Sequence, residues 1–154
     1  MLDYRDVKCL TKMLKVVSVT AIKKTIFLCG PMRGVDRKLS LEWRKKTTKI
    51  LSPKFIVIHA MRGRELKETF LDYRAAVARD ISDIKDADIL LVNDTFENVS
   101  MIGTSMEIFF AYSLHKPVII FGNAHEKDYW LNYHSHCRLK DLNEACKVLG
   151  SLFS

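Results

Sequence analysis

Four apolar runs punctuate the chain: Thr25-Ile26-Phe27-Leu28-Cys29, Phe55-Ile56-Val57-Ile58, Ile89-Leu90-Leu91-Val92 and Val118-Ile119-Ile120-Phe121. Each is short and continuous rather than alternating, the pattern of a parallel strand buried on both faces. Between them apolar residues recur at helical spacing. Residues 39–51 carry Leu41, Ile50 and Leu51, and Ser52-Pro53 ends that helix because proline disfavours helix in the residue before it. Residues 69–85 carry Phe70, Tyr73, Val77, Ile81 and Ile84, and residues 104–114 form a third helix before Lys116-Pro117. Residues 122–136 show no period and are expected to be irregular. Arg138-Leu139-Lys140 reads as a short fifth strand. Asp141-Leu142-Asn143-Glu144 has capping-box spacing and opens a last helix to about residue 152. The alternation predicts an α/β fold, a doubly wound sheet of four to five parallel strands.

The helix at 104–114 is apolar almost all round: Met106, Ile108, Phe109, Phe110, Ala111, Tyr112 and Leu114. A helix covering a sheet needs only one apolar stripe. The second face is therefore expected at an interface between copies of the chain, a homodimer or larger homo-oligomer.

In such a sheet the strand C-termini and helix N-termini meet at one edge, where ligands bind. Gly30-Pro31-Met32-Arg33-Gly34 follows the first strand there. Its turn can aim backbone N–H groups together at a phosphate, with Arg33 adding charge-assisted bonds; an ordinary strand-to-helix turn is the other reading. His59 and Met61-Arg62-Gly63-Arg64 end the second strand, where the loop is a second anion site, a mobile lid or simply solvated. Trp43 is expected to pack rather than to stack on a base.

Composition narrows the partners. The net charge of +7 favours anionic ones, and 48% apolar residues suffice for one core. The basic clusters Lys23-Lys24 and Arg44-Lys45-Lys46 are short, and a solvated helix face explains Arg44, Lys45, Lys46 and Lys49. No basic motif interleaved with aromatics is present, so nucleic acid is not an expected partner. Cys9, Cys29, Cys137 and Cys146 have no CxxC or zinc spacing, and His125, His134, His136 and Cys137 match no standard metal site. No metal and no cofactor is called for. Buried thiols at Cys29 and Cys146 fit a reducing cytoplasm. No run approaches the roughly 20 apolar residues of a membrane span, and the charges at Asp3, Arg5, Asp6 and Lys8 make a poor secretory signal. Residues 1–24 read as an appendage without an assigned role, and residues 25–154 as the domain.

Glu107 is expected in the first turn of a helix that opens on Gly103-Thr104-Ser105-Met106-Glu107. Thr104 through Glu107 match a capping box, in which the glutamate only bonds back to the helix start. The alternative is chemical: a carboxylate held ionised by the helix dipole and aimed at an anomeric carbon. Asp80, one helix upstream, is the candidate for handling the proton on the departing group. Asp83 and Asp86 read as solvent-facing, and Asp88 as a strand-boundary residue.

Three segments taken in order carry a resemblance: Ile26 through Gly34, Asp80-Ile81 followed by Ala87-Asp88-Ile89-Leu90-Leu91-Val92, and Gly103-Thr104-Ser105-Met106-Glu107 through Lys116-Pro117-Val118-Ile119. Over residues 24–149 the chain resembles the nucleoside 2-deoxyribosyltransferase superfamily, which includes 2'-deoxynucleoside 5'-monophosphate N-hydrolases. The resemblance implies a flavodoxin-like five-stranded parallel sheet and subunits that complete each other's sites. It assigns the nucleophile to Glu107, the base-side carboxyl to Asp80 and the 5' end of the substrate to Gly30, Pro31, Met32, Arg33 and Gly34. Many relatives carry Asp or Ser six residues before the nucleophile. Here that position is Met101, with Ser100 beside it. Ser100, Gly103, Ser105 and Tyr133 complete the expected substrate-binding set, with the partner's Tyr133 or the partner's His134 near the site. The implied activity is cleavage of the N-glycosidic bond of a deoxynucleoside monophosphate through a deoxyribosyl-glutamate ester. Base exchange between deoxynucleosides is the alternative within the family, and a non-catalytic nucleotide-binding module the alternative outside it. A basic nucleic-acid accessory protein is the third.

Overall fold

A computed structural model describes residues 22–67 and 72–153. The appendage through residue 21, Cys9 included, and the helix positions Thr69 and Phe70 lie outside the described residues. Five parallel strands, β1 (Thr25–Cys29), β2 (Ile56–His59), β3 (Ile89–Asn93), β4 (Val118–Phe121) and β5 (Cys137–Leu139), lie in the order β2-β1-β3-β4-β5. The helices are α1 (Arg37–Leu51), α2 (Tyr73–Asp86), α3 (Ile102–Ser113), α4 (Tyr129–Tyr133) and α5 (Leu142–Leu152). This is the doubly wound sheet expected from the strand pattern, in the flavodoxin-like five-stranded form that the resemblance implies. Its order reverses between β1 and β3, the switch point where such sheets bind ligands.

Strand parity builds two cores. Phe27, Cys29, Leu90, Val92, Val118 and Ile120 point to one face and pack with Ile84, Ala87, Ile108 and Ala111 of the α2–α3 side. Ile26, Leu28, Ile89, Leu91, Ile119 and Phe121 point to the other and meet Trp43, Leu51, Ala145, Cys146 and Leu149 of α1 and α5. Burying each large apolar side chain contributes about 1.5–3 kcal/mol. Trp43 packs edge-on against Phe121, with ring centroids 5.8 Å apart.

Several boundaries differ from the sequence reading. Asp36 caps α1 through Lys38 N and Leu39 N, so that helix begins two residues early. The stretch after β4 is not wholly irregular: Asp128 accepts from Trp130 N and Leu131 N and starts the single turn of α4. The last helix is capped as its sequence requires, Asp141 accepting from Glu144 N while Glu144 accepts from Lys140 N. Asp88 serves as a boundary residue, accepting from Thr25 N at 2.7 Å. Among the described residues no helix is long and apolar enough to cross a membrane, and no group of three or more His, Cys, Asp or Glu side chains could hold a metal ion.

Tyr73, Val77 and Ile81 do not join the core; they stand exposed on α2. Next to them α3 exposes Met106 and Phe109, 68% and 55% accessible, and α4 exposes Trp130. All of these but Tyr73 border an apolar groove of about 450 Å³ between the three helices.

Candidate active site

The site is assembled where β1 ends. Because Cys29 shares the parity of Phe27, its thiol faces α3, with Sγ 2.8 Å from Glu107 Oε2 and 3.8 Å from the Thr104 carbonyl oxygen. The chain then turns through Gly30-Pro31-Met32-Arg33-Gly34. A Cβ on Gly30 would lie 3.1 Å from Trp43 Cζ2 and 3.2 Å from Asn93 Cβ, so the close approach of β1, β3 and α1 leaves little room for a side chain. Gly34 adopts φ +83°, a left-handed conformation that favours glycine. Arg33 is exposed and makes no ion pair among the described residues.

Arg44 contradicts the solvated-face reading. It is buried under the glycine turn, where Nη2 donates to the Gly30 carbonyl at 3.0 Å. Its Nη1 donates to the Ser40 carbonyl at 2.7 Å and to Ser40 Oγ at 2.6 Å. The guanidinium lies 4.5 Å from the Trp43 ring centroid. Burial lowers its pKa to about 10, and the remaining shifts come from Cys29, Glu107 and Asp80, which favour the cation. Lys45, Lys46 and Lys49 do face solvent. A run of basic residues conceals this difference, because only the helical phase separates Arg44 from its neighbours.

Asp83 is a second correction. It is buried rather than solvent-facing, and Arg62 grips it with both guanidinium ends at 2.5 and 2.8 Å. Arg62 is thereby held on α2 within the 61–64 loop. His59 is neutral, its pKa lowered to about 4 chiefly by burial and then by Arg44.

Glu107 itself is not a capping residue. Helix α3 starts at Ile102, its N-cap Met101 makes no side-chain bond, and Glu107 falls in the second turn. Its carboxyl pairs with Cys29 instead. Burial is the main influence and pushes the Glu107 pKa up to about 7; the thiol hydrogen bond opposes this, Asp80 adds to it and Arg44 opposes it. Desolvation thus outweighs the helix dipole that was expected to keep Glu107 ionised. Asp80, on α2, is raised by burial, with Arg79 and Arg64 pulling the other way. Arg79 Nη2 approaches Asp80 Oδ1 only to 3.7 Å, and among the described residues that oxygen has no hydrogen-bond partner.

Both carboxyl groups line a cleft of about 610 Å³ above β1 and β3. Gly30, Pro31, Met32 and Arg33 form one wall, and Ser100, Gly103 and Thr104 another at the start of α3. Arg64, from the loop named as a second anion site, also lines it, together with Tyr73 and with Arg37, which sequence reasoning had not singled out. Gly34 shapes the turn without lining the cleft. Ser105 lines the apolar groove on the opposite side of α3, a groove that Asp80 and Glu107 also reach. Met101 is buried in the core and Ser100 takes the cleft position beside it. Tyr133 is 71% exposed on α4, its ring 6.1 Å from that of Tyr112, and touches neither cavity of its own chain.

Asp94 is a support that the sequence did not reveal. Fully buried after β3, it accepts from Arg138 Nη1 at 2.5 Å, with His125 Nδ1 at 2.7 Å. It ties the segments that follow β3 and β4 to β5.

No family model matches the chain, and no curated protein matches its sequence. Solved structures do match in fold. A 2-deoxyribosyltransferase from Bacillus psychrosaccharolyticus superposes with a TM-score of 0.64 and 21% identity, over 79% of this chain and 89% of that one. The chain shares that enzyme's fold. A Clostridium botulinum CMP N-glycosidase gives a TM-score of 0.57 and 21% identity over 83% of this chain and 99% of that one. A molybdenum cofactor binding protein from Rippkaea orientalis also shares the fold, with a TM-score of 0.59 and 12% identity over 88% of this chain and all, 100%, of that one. The fold alone thus accommodates both catalysis and binding.

The raised Glu107 pKa has a consequence for stability. Below its ordinary value of 4.5 the carboxyl is protonated whether folded or unfolded. As pH climbs through about 7 the unfolded chain is already ionised, while the folded one must ionise a buried group, so stability is lost. Glu107→Gln should therefore be more stable than wild type at about pH 8, by on the order of 2 kcal/mol. The advantage should vanish towards about pH 4. Urea denaturation at the two pH values measures this, and an equal difference at both would contradict the desolvation of Glu107.

Proposed function

We propose that the protein hydrolyses the N-glycosidic bond of 2'-deoxynucleoside 5'-monophosphates through a covalent ester on Glu107. The observation that carries this reading is the pair of carboxyl groups, Glu107 and Asp80, both raised by burial, in one cleft with an arginine-rich far wall. Arg33, Arg37 and Arg64 supply positive charge there. The glycine turn and the uncapped start of α3 add backbone N–H groups. A monophosphate, with close to two negative charges, suits that wall better than a neutral 5'-hydroxyl.

The chemistry balances with one proton shared by the two carboxyl groups. In the empty cleft that proton favours Glu107. Positive charge developing at C1' favours the ionised Glu107 and shifts the proton to Asp80. A carboxylate oxygen of Glu107 donates its electron pair to C1', the C1'–N bond breaks, and its pair leaves with the base, which takes the Asp80 proton. Water then attacks C1', the ester bond breaks back to the Glu107 carboxylate, and Asp80 receives the water proton. Base exchange replaces water by a second base, and the 2-deoxyribosyltransferase of the same fold supports that as the second reading.

Incubation with deoxynucleosides, their 5'-monophosphates and CMP, followed by chromatography of the free base, tests the reaction. The deoxynucleoside monophosphates should be cleaved, and Arg33→Ala should lower kcat/KM on them alone by about 10- to 100-fold, the loss of one charge-assisted contact. A better rate on the nucleoside, or an Arg33→Ala loss that is equal on both, would instead favour base exchange. Tight binding with no turnover would leave a binding module.

A second copy is the proposed cover for the apolar face formed by Val77 and Ile81 on α2, Met106 and Phe109 on α3, and Trp130 on α4. Contiguous exposed apolar surface of this kind marks interaction sites. Light scattering after size exclusion should give a dimer or larger species at micromolar concentration, and Phe109→Glu should dissociate it. A stable wild-type monomer would sink the proposal.

A further inference from the structure

The Glu107 carboxyl is faced from three other elements: by Cys29 of β1, Arg44 of α1 and Asp80 of α2. Two of these act on it from a distance as charges. Cys29 alone among them is in hydrogen-bond contact, Sγ to Oε2 at 2.8 Å. The thiol is enclosed, and burial, followed by the neighbouring Glu107, pushes its pKa well above the usual thiol range. It keeps its proton at any pH at which the carboxyl ionises. A protonated thiol beside a carboxylate can only donate.

The thiol is also held in place. Arg44 binds the Gly30 carbonyl, the residue after Cys29, and is itself tied to Ser40 on α1. The β1 register, Phe27 against Leu90 and Cys29 against Val92, fixes which face the thiol occupies. A slip of one residue would send it to the α1–α5 core.

We propose that Cys29 is a positioning residue for the nucleophile: its thiol holds Glu107 Oε2 and leaves Oε1 for the anomeric carbon, while Arg44 anchors the strand end that carries it. The proposal rests on Glu107 attacking C1', as argued above. When the Oε1 electron pair forms the bond to C1' and the C1'–N pair leaves with the base, Oε2 becomes the ester carbonyl oxygen. That oxygen still accepts from the thiol, so no proton moves at Cys29. Alanine at this position would leave a buried carboxylate oxygen unpaired and make ionisation costlier. Serine would restore a donor.

Wild type, Cys29→Ala and Cys29→Ser are compared by two readouts. One is the titration of the Glu107 side chain, followed by NMR of protein labelled with 13C in the glutamate carboxyl and assigned with Glu107→Gln. The other is kcat and KM for base release from a deoxynucleoside monophosphate. Cys29→Ala should move the titration to higher pH and lower kcat by about 10-fold with KM nearly unchanged, as expected for a lost orienting bond. Cys29→Ser should return both towards wild type. An unmoved titration in Cys29→Ala, or a serine variant as impaired as the alanine one, overturns the proposal. If wild type releases no base but the titration moves and serine restores it, the assigned reaction fails and the hold on Glu107 stands. If Cys29→Ala cleaves substrate at the wild-type rate, the hold fails and the reaction stands. Should Cys29→Ala not fold, Cys29→Val fills the space without a donor and takes its place.

Discussion

Two carboxyl groups withdrawn from water at the end of a parallel sheet set the terms for the rest of this structure. A buried carboxyl disfavours its charged form unless partners compensate it. Here compensation is partial by construction. Glu107 has a thiol donor and a more distant guanidinium, and Asp80 has a loose approach from Arg79 and one oxygen without a partner among the described residues. By contrast both oxygens of Asp83 are held by Arg62, and those of Asp94 by Arg138 and His125. The same fold thus contains carboxylates stabilised for structure and carboxyl groups left poised to move a proton, the separation of environments on which acid–base assignments rest.

Much of this was legible in the chain. Continuous apolar runs marked four strands and their parallel sense, because both faces of a doubly wound sheet are covered. The short fifth strand was placed at Arg138-Leu139-Lys140, one residue late. Glycine next to proline after the first strand marked the turn beside the cleft. What escaped has physical reasons. Arg44 sits in a basic run in which residue type cannot distinguish the inward position from the outward ones. The helix was expected to start at Thr104, yet backbone pairing from Ser105 N to the Met101 carbonyl starts it earlier and turns an apparent cap into a second-turn carboxyl. Desolvation then raised the pKa of the carboxyl that the dipole was expected to keep ionised. Asp83 was read as solvated because no sequence rule locates Arg62, twenty-one residues away, against it.

The apolar faces of α2, α3 and α4 tell a related story. Tyr73, Val77 and Ile81 recur with the period of a core stripe, but only Ile84 among these positions is buried in one chain. Helical periodicity reports that a face is apolar; it does not report what covers it. The sheet takes one side of α3, and the groove of about 450 Å³ on the other side borders the same two carboxyl groups as the cleft. Any cover for this face would therefore also control how much water reaches Glu107 and Asp80.

Fold similarity extends from a deoxyribosyltransferase and a CMP N-glycosidase to a cofactor-binding protein, so the functional claim stands on Glu107 rather than on the sheet. The direct measurement is intact-protein and peptide mass spectrometry after rapid acid quench of the protein mixed with a deoxynucleoside 5'-monophosphate. The proposed reaction predicts a transient adduct with the mass of deoxyribose 5-phosphate less one water, located on Glu107 and absent from Glu107→Gln. Single-turnover base release with no adduct at any time, or an adduct on another residue, would contradict it.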